Sequence, residues 1–215
     1  MGCGKTYVCN RLEALAMEHS FPFTIFDFDS FRREILSSTQ NPEHLHVQKK
    51  LIEEFGEGIK DLDGRIDRKA LSEQTYSHPY KLSFADGIID RAITKELKRR
   101  IEGVPGIILI ESALLAEKNQ FSLVDYNVLV VRCPYEIQIK RVKYGDLPLE
   151  QIKKRIILQY SNDRKEAEAK KAQQTAGQGD LYVFNSIHDG GTNGNKDTYR
   201  LFAQIVNKSR GRRNG

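Results

Sequence analysis

Cysteine is scarce, long apolar runs are missing, and neither sign of charge dominates. Cys3, Cys9 and Cys133 are the only three cysteines in 215 residues. Their odd number and scattered positions fit neither a disulfide framework nor a zinc site, so a reducing cytosol is the expected setting. No apolar run approaches the length of a membrane span, and the first residues do not read as a signal segment. His44 and His46 point to different faces of one helical stretch, and His19, His78 and His188 are isolated, which argues against a histidine-built metal centre. No internal repeat is visible.

The net charge of +5 would suit a polyanionic partner. Lys208, Arg210, Arg212 and Arg213, in the terminal KSRGRRNG, carry four of those charges. The rest of the chain is therefore close to neutral. The tail lacks apolar periodicity and is expected to fray. Residues 209–215 are read as a basic disordered tail, solubilising rather than nucleic-acid-binding.

What is present is enough apolar surface for a core: 39% hydrophobic residues beside 29% charged. The length fits one domain with an inserted subdomain. Four short runs, FPFTIFDFD (21–29), GIILIE (106–111), NVLVV (127–131) and LYVF (181–184), are nearly continuous and rich in β-branched or aromatic residues. Strands covered on both faces of a parallel sheet read this way. Between them lie helical stripes: Val8, Leu12, Leu15; Val47, Leu51, Phe55; Ile89, Ile93, Leu97, Ile101; Leu149, Ile152, Ile156, Tyr160; Tyr199, Phe202, Val206. The alternation predicts an α/β fold with a parallel sheet. Residues 30–103 hold no convincing strand and read as a helical insertion. Residues 149–174 read as one long helix or two broken ones, and the run DRKEAEAKKAQQ, polar all round, suits an arm or lid exposed to solvent.

The chemistry-bearing residues begin at the start. Gly4-Lys5-Thr6 looks like the end of a phosphate-binding loop, G-x-x-x-x-G-K-[ST]. Gly2 and Gly4 can turn amides inward, Cys3 sits between them, Lys5 adds a positive charge, and Thr6 can offer a hydroxyl to magnesium. By chance such a tripeptide is more often a turn before a helix; the amphipathic helix that follows strengthens the functional reading. Counting back for the first loop glycine passes Met1, and no strand leads into the loop. The expectation is a native protein that begins further upstream and a sheet that lacks its central first strand, with weakened stability and ATP binding.

A second element, FTIFDFDSFRREIL, ends a buried strand in Asp27 and Asp29 and continues to Arg33. Ligands of open parallel sheets bind beyond the carboxyl ends of the strands. Asp29 is placed to take a proton from a substrate hydroxyl or to hold magnesium through water, and Arg33 to pair with an anionic group. The plainer alternative is an N-cap aspartate with a surface ion pair. Glu111 ends the strand GIILIE, where an acid can hold magnesium through water or cap the next turn.

Several stretches together resemble the dephospho-coenzyme A kinase family. FTIFDFDSFRREIL is similar to its vIDaDxiaRel element, and GRIDRKALSEQTYSHP (64–79) resembles its GxldRxaLxxxvFxdp signature. The stretch from ILIESALLAE to CPYEIQIKRV, RIILQ (155–159) and LYVFNSIHDGGT follow in family order and extend the resemblance over almost the whole chain.

The resemblance implies a P-loop nucleoside-triphosphate-hydrolase-like sheet with a helical substrate-binding insertion (36–102) and a helical lid (143–177). The kinase core is then 1–35, 103–142 and 178–208. It implies ATP and Mg2+ as cofactors and dephospho-coenzyme A as the small-molecule substrate, phosphorylated at its ribose 3′-hydroxyl. It also implies a cytoplasmic monomer without membrane or nucleic-acid partner. Asp29 matches the family's catalytic aspartate, with Lys5 in the loop. Gly2, Cys3, Gly4, Lys5, Thr6, Arg155 and Asn185 match the ATP side, and Asp27, Arg33 and Arg68 the substrate side. Thr6 and Glu111 match the metal side.

Three departures stand out. The family's HP is Asp86-Gly87 here, its PLL proline is Ala113, and its lid Arg-Asp stretch reads KYGDLP from Lys143. Two rivals remain open at this point: another nucleoside or nucleotide kinase of the same architecture, and a non-catalytic nucleotide- or nucleic-acid-binding module.

Overall fold

The structure, a computed structural model, describes residues 2–76, 78–142, 149–187 and 192–211. In chain order its elements are α1 (Lys5–Glu18), β1 (Phe23–Asp27), α2 (Phe28–Ser37), α3 (Pro42–Phe55), α4 (Arg68–Tyr76), α5 (Pro79–Ile101), β2 (Ile107–Glu111), β3 (Val128–Arg132), α6 (Tyr135–Val142), α7 (Leu149–Ile157), α8 (Asn162–Ala176), β4 (Leu181–Asn185) and α9 (Thr192–Gly211). Each of the four apolar runs gives one strand, β3 and β4 extending one residue past theirs. The chain divides into two compact units, Met1–Ile25 with Pro105–Gly215, and Phe26–Val104.

In the first unit the strands form two pairs, β1 with β2 and β3 with β4. β3 and β4 run parallel, in a register that sets Val128 opposite Leu181 and Arg132 opposite Asn185. Both faces of β3 are covered, as its sequence predicts. Val128 and Val130 pack with Phe121 and with Ala169 of α8. Leu129 and Val131 turn to the other side, against Val8, Leu12, Leu15 and Ala16 of α1 and Leu201, Phe202 and Val206 of α9. Successive strand residues point to opposite faces, so one short valine-rich strand joins two clusters. The stripe on α9 is shifted from the expected one: Phe202 and Val206 are buried, but Tyr199 is 49% exposed.

Two expectations are corrected here. The polar run in 162–176 is a docked helix, not a solvent-exposed arm. Ala169 is fully buried and Ala172 joins the same cluster, so two small residues one turn apart let α8 approach β3 closely. Its charges are met by the fold: Arg132 bridges to Asp163 at 2.6 Å and Glu166 at 3.0 Å, and Lys165 reaches Glu117 at 3.3 Å. The other correction concerns the tail. α9 continues to Gly211, Lys208 pairs with Asp180 at 3.2 Å, and the Arg210 guanidinium lies 5.9 Å from the centre of the Phe21 ring. Arg212 and Arg213 lie outside the described residues.

The second unit is helical around a core of Ile35, Leu51, Ile59, Ile89 and Leu97, each at most 1% exposed. Its connections are closed by local hydrogen bonds. Asn41 caps α3, its side chain accepting from the Glu43 and His44 amides, with Pro42 at the first helical position. Gln48, buried in α3, donates to the Ile35 and Ser38 carbonyls at 2.8 Å each, which ties α3 to the end of α2. Glu96 of α5 receives Arg99 and Arg100, and Arg100 also pairs with Glu34 of α2. The GRIDR start of the diagnostic run is a turn held by Asp61, which accepts from the amides of Asp63 and Arg65. Asp67 then caps α4 through the Lys69 amide at 2.8 Å.

No helix among the described residues is long and apolar enough to cross a membrane.

Candidate functional site

In the first unit, the candidate nucleotide side is built on the N-terminus of α1. Gly4 precedes the helix with φ 77° and ψ 22°, a left-handed conformation that glycine enters without steric cost. A side chain there would have no room. A Cβ on Gly4 would lie 2.7 Å from Ser186 Oγ and 3.3 Å from an Arg141 guanidinium nitrogen, and one on Gly2 would lie 2.8 Å from the Gln138 carbonyl oxygen. The loop backbone thus rests directly on α6 and the end of β4.

The first turn of α1 carries no acid and no side-chain cap, which leaves its amides and the positive end of the helix dipole for an anion. Lys5 is half-buried and has no ion-pair partner among the described residues. Cys3 is half-buried in the same loop. Thr6 donates its hydroxyl to Glu111 Oε1 at 2.7 Å, joining the first turn of α1 to the C-terminal end of β2. Two oxygen-bearing side chains, separated widely in sequence, therefore meet where the resemblance places the metal. Among the described residues there is no group of three His, Cys, Asp or Glu side chains that could hold an ion by itself. A magnesium ion, which keeps waters and substrate phosphates as ligands and takes only one or two protein oxygens, fits such a donor set.

Sequence reading passed over one support of this side. Arg141, near the end of α6, donates through one nitrogen to the Ser186 carbonyl at 3.1 Å, the Ser186 hydroxyl at 3.1 Å and the Cys133 sulfur at 3.4 Å. It pins the end of β4 under Gly4. The run QIKRV contained this arginine, but no local pattern announces a bond to a residue 45 positions on.

Asn185 ends β4 and is exposed, opposite Arg132. The side chain of Arg155, on α7, and the lid residues Lys143, Tyr144, Gly145 and Asp146 lie outside the described residues.

In the second unit, the candidate acceptor side sits at the start of α2. Asp27 is the N-cap: its Oδ1 accepts the Asp29 amide at 2.9 Å. Arg33 comes back to Asp27 at 3.6 Å, with a side chain 57% exposed. The cap-and-ion-pair alternative therefore describes Asp27 and Arg33 as they stand in the structure. Asp29 differs. It is exposed in the first turn of α2, and its carboxylate has no hydrogen-bond or ion-pair partner among the described residues. Arg68, the first residue of α4, is likewise exposed and without an ion-pair partner there. The neighbouring Arg32 is engaged, by Asp86 at 2.9 Å.

Comparison with known proteins bears on the family of the chain. The family model for dephospho-CoA kinase matches residues 1–178. The dephospho-CoA kinase of Aquifex aeolicus is 29% identical over 148 residues, 67% of this chain and 69% of the relative. That of Carboxydothermus hydrogenoformans is 34% identical over 144 residues, 65% of this chain and 64% of the relative. The match to that of Chlorobium luteolum, 29% identical, extends over 96% of this chain and 87% of the relative. Among solved structures, TT1252 from Thermus thermophilus shares the fold with a TM-score of 0.72 at 20% identity, over 97% of this chain and 93% of that one. The dephospho-CoA kinase from Campylobacter jejuni gives a TM-score of 0.53 at 16% identity, over 94% of this chain and 93% of that one. The chain belongs to the dephospho-CoA kinase family, kinases that phosphorylate dephospho-CoA with ATP.

Proposed function

We propose that this chain transfers the γ-phosphoryl group of ATP to the ribose 3′-hydroxyl of dephospho-coenzyme A, giving coenzyme A and ADP. The observation that carries this reading is the 2.7 Å bond between Thr6 and Glu111, because it joins the loop hydroxyl to the strand-end acid that phosphoryl transfer needs together. Lys5 and the free amides of α1 neutralise the phosphate oxygens of ATP. Asp29 accepts the proton of the 3′-hydroxyl as its oxygen attacks the γ-phosphorus. The bond from that phosphorus to the β–γ bridging oxygen breaks, and ADP leaves with the electron pair. Asp29 then loses its proton to solvent.

Arg33 and Arg68 bind anionic groups of dephospho-coenzyme A, Arg33 exchanging its long contact with Asp27 for a substrate phosphate. Thr6 and Glu111 would hold magnesium, which would supply charge neutralisation on the phosphates. Asn185 serves the adenine side and Arg155 the lid. The core is assigned to 1–35, 103–142 and 178–208, and the substrate-binding insertion to 36–102. The lid is assigned to 143–161, since α8 is docked on β3. We read the protein as a cytoplasmic monomer.

The two strand pairs are read as the flanks of one sheet completed by a strand between β2 and β3. Supporting this, β2 and β3 have no mutual pairing among the described residues, yet Ile107 of β2 and Leu129 and Val131 of β3 touch the same cluster under α1 and α9. The binding-module rival is weakened by the tail, since Lys208 and Arg210 are engaged within the fold.

The test is a phosphoryl-transfer assay with ATP, magnesium and dephospho-coenzyme A, alongside a nucleoside and nucleotide panel. It compares the 215-residue chain, a version extended at its N-terminus by an apolar strand and the remaining loop glycine, and Asp29→Asn in each. Transfer to dephospho-coenzyme A that Asp29→Asn abolishes supports the reading. Transfer only to another acceptor, or none from either folded version, overturns it.

A further inference from the structure

Helix α2 carries Asp29 and Arg33, and its rotation about its own axis decides where they point. The apolar contacts of Phe28, Phe31, Ile35 and Leu36 set that rotation only loosely, because hydrophobic burial is non-directional. Two ion pairs to α5 set it more sharply. Arg32 meets Asp86 at 2.9 Å, with side chains 29% and 25% exposed. Glu34 meets Arg100, which also binds Glu96 and lays its guanidinium 4.8 Å from the centre of the Phe31 ring. At 3.6 residues per turn, Arg32 and Glu34 project about 160° apart, Arg32 within the arc of the buried residues and Glu34 beyond one edge of it. Turning α2 either way stretches at least one pair.

We propose that the Arg32–Asp86 pair is a positioning device for the acceptor side, with Asp86 acting through Arg32 to hold the face of α2 that presents Asp29 and Arg33 to dephospho-coenzyme A. Arg32 touches no substrate in this account. The proposal rests on the functional reading above, and its test separates the two.

Kinetics for both substrates are measured with the full chain and with Asp86→Ala, Arg32→Ala, the double variant and Asp86→Glu, with thermal stability as a control. The expected result is a rise of roughly tenfold in KM for dephospho-coenzyme A in each single variant, since small misplacements of positioned groups are costly. KM for ATP stays as in the wild type, the double variant matches the singles, and Asp86→Glu recovers most of the loss. A lowered melting temperature with KM for dephospho-coenzyme A unchanged overturns the proposal, leaving a purely structural tie. A fall in that KM in Asp86→Ala also overturns it, by showing that Arg32 is a substrate contact held back by Asp86. If the wild type transfers no phosphate to dephospho-coenzyme A, the functional reading fails. Calorimetric binding of dephospho-coenzyme A to the same variants then decides the positioning role: weakened binding in the singles supports it, and equal or absent binding overturns it.

Discussion

The hydroxyl of Thr6 and the carboxylate of Glu111, 105 residues apart, share a 2.7 Å hydrogen bond. One belongs to the first turn of the opening helix and the other to the end of a strand, so the bond records the register between those two elements. In the proposed reaction both oxygens would serve one magnesium ion. Glu111→Gln removes the charge and leaves the shape, and is expected to raise the magnesium concentration for half-maximal rate by roughly 10–100-fold, as for other outer-shell partners of a metal. A magnesium titration of initial rate checks this, and an unchanged midpoint would remove Glu111 from the metal side.

Asp27 and Asp29 are expected to separate cleanly by readout. Asp27→Ala loses the cap of α2 and should destabilise the fold by about 0.5–2 kcal/mol. Asp29→Asn disturbs no bond of its carboxylate among the described residues and should leave the melting temperature near the wild type, while kcat falls by roughly 10²–10⁴ as for loss of a general base. Denaturation curves and steady-state kinetics on both variants decide it.

Gly4→Ala forces a Cβ to 2.7 Å from Ser186 Oγ at a backbone φ of 77°. The loop must shift off β4, and transfer activity should drop to background. Ser186→Gly combined with Gly4→Ala relieves the collision but not the backbone strain, so it should recover only part of the rate.

Acid stability should carry the mark of Glu96. The hydrogen bond from Arg99, with help from Arg100, outweighs the cost of burial and holds its pKa at about 2, below the usual 4.5. A carboxylate depressed in the folded state stabilises the fold above its unfolded value and loses that contribution as pH falls from 4.5 towards 2. Glu96→Gln should lower stability at neutral pH by about 2–3 kcal/mol. The difference from wild type should shrink below pH 4.5 and close towards pH 2. Melting temperatures across that range would show it, and a gap that persists at low pH would point to packing instead.

The strands and most helical stripes were legible because burial leaves a periodic signature. Val8, Leu12 and Leu15 repeat on α1, and the four apolar runs mark the four strands. The features that escaped depend on partners distant in sequence. Nothing in DRKEAEAKKAQQ shows that Ala169 faces β3, because an alanine stripe is nearly invisible beside so many charges. Nothing in KSRGRRNG shows that Lys208 finds Asp180. The site divides in the same way. The candidate loop and acids were visible as motifs and the cap by an aspartate was one of the sequence readings, while the bond of Arg141 to Ser186 and that of Arg32 to Asp86 join residues far apart in sequence and left no local signal.

The run 64–79 has a further meaning. Two of its residues close a turn and cap a helix: Arg65 is bound by Asp61, and Asp67 starts α4. Their work is architectural. Selection for folding alone would preserve them, whatever became of the chemistry. A descendant that had lost Asp29 would still carry this badge of kinship and would be sorted with active kinases by any search that weighs it.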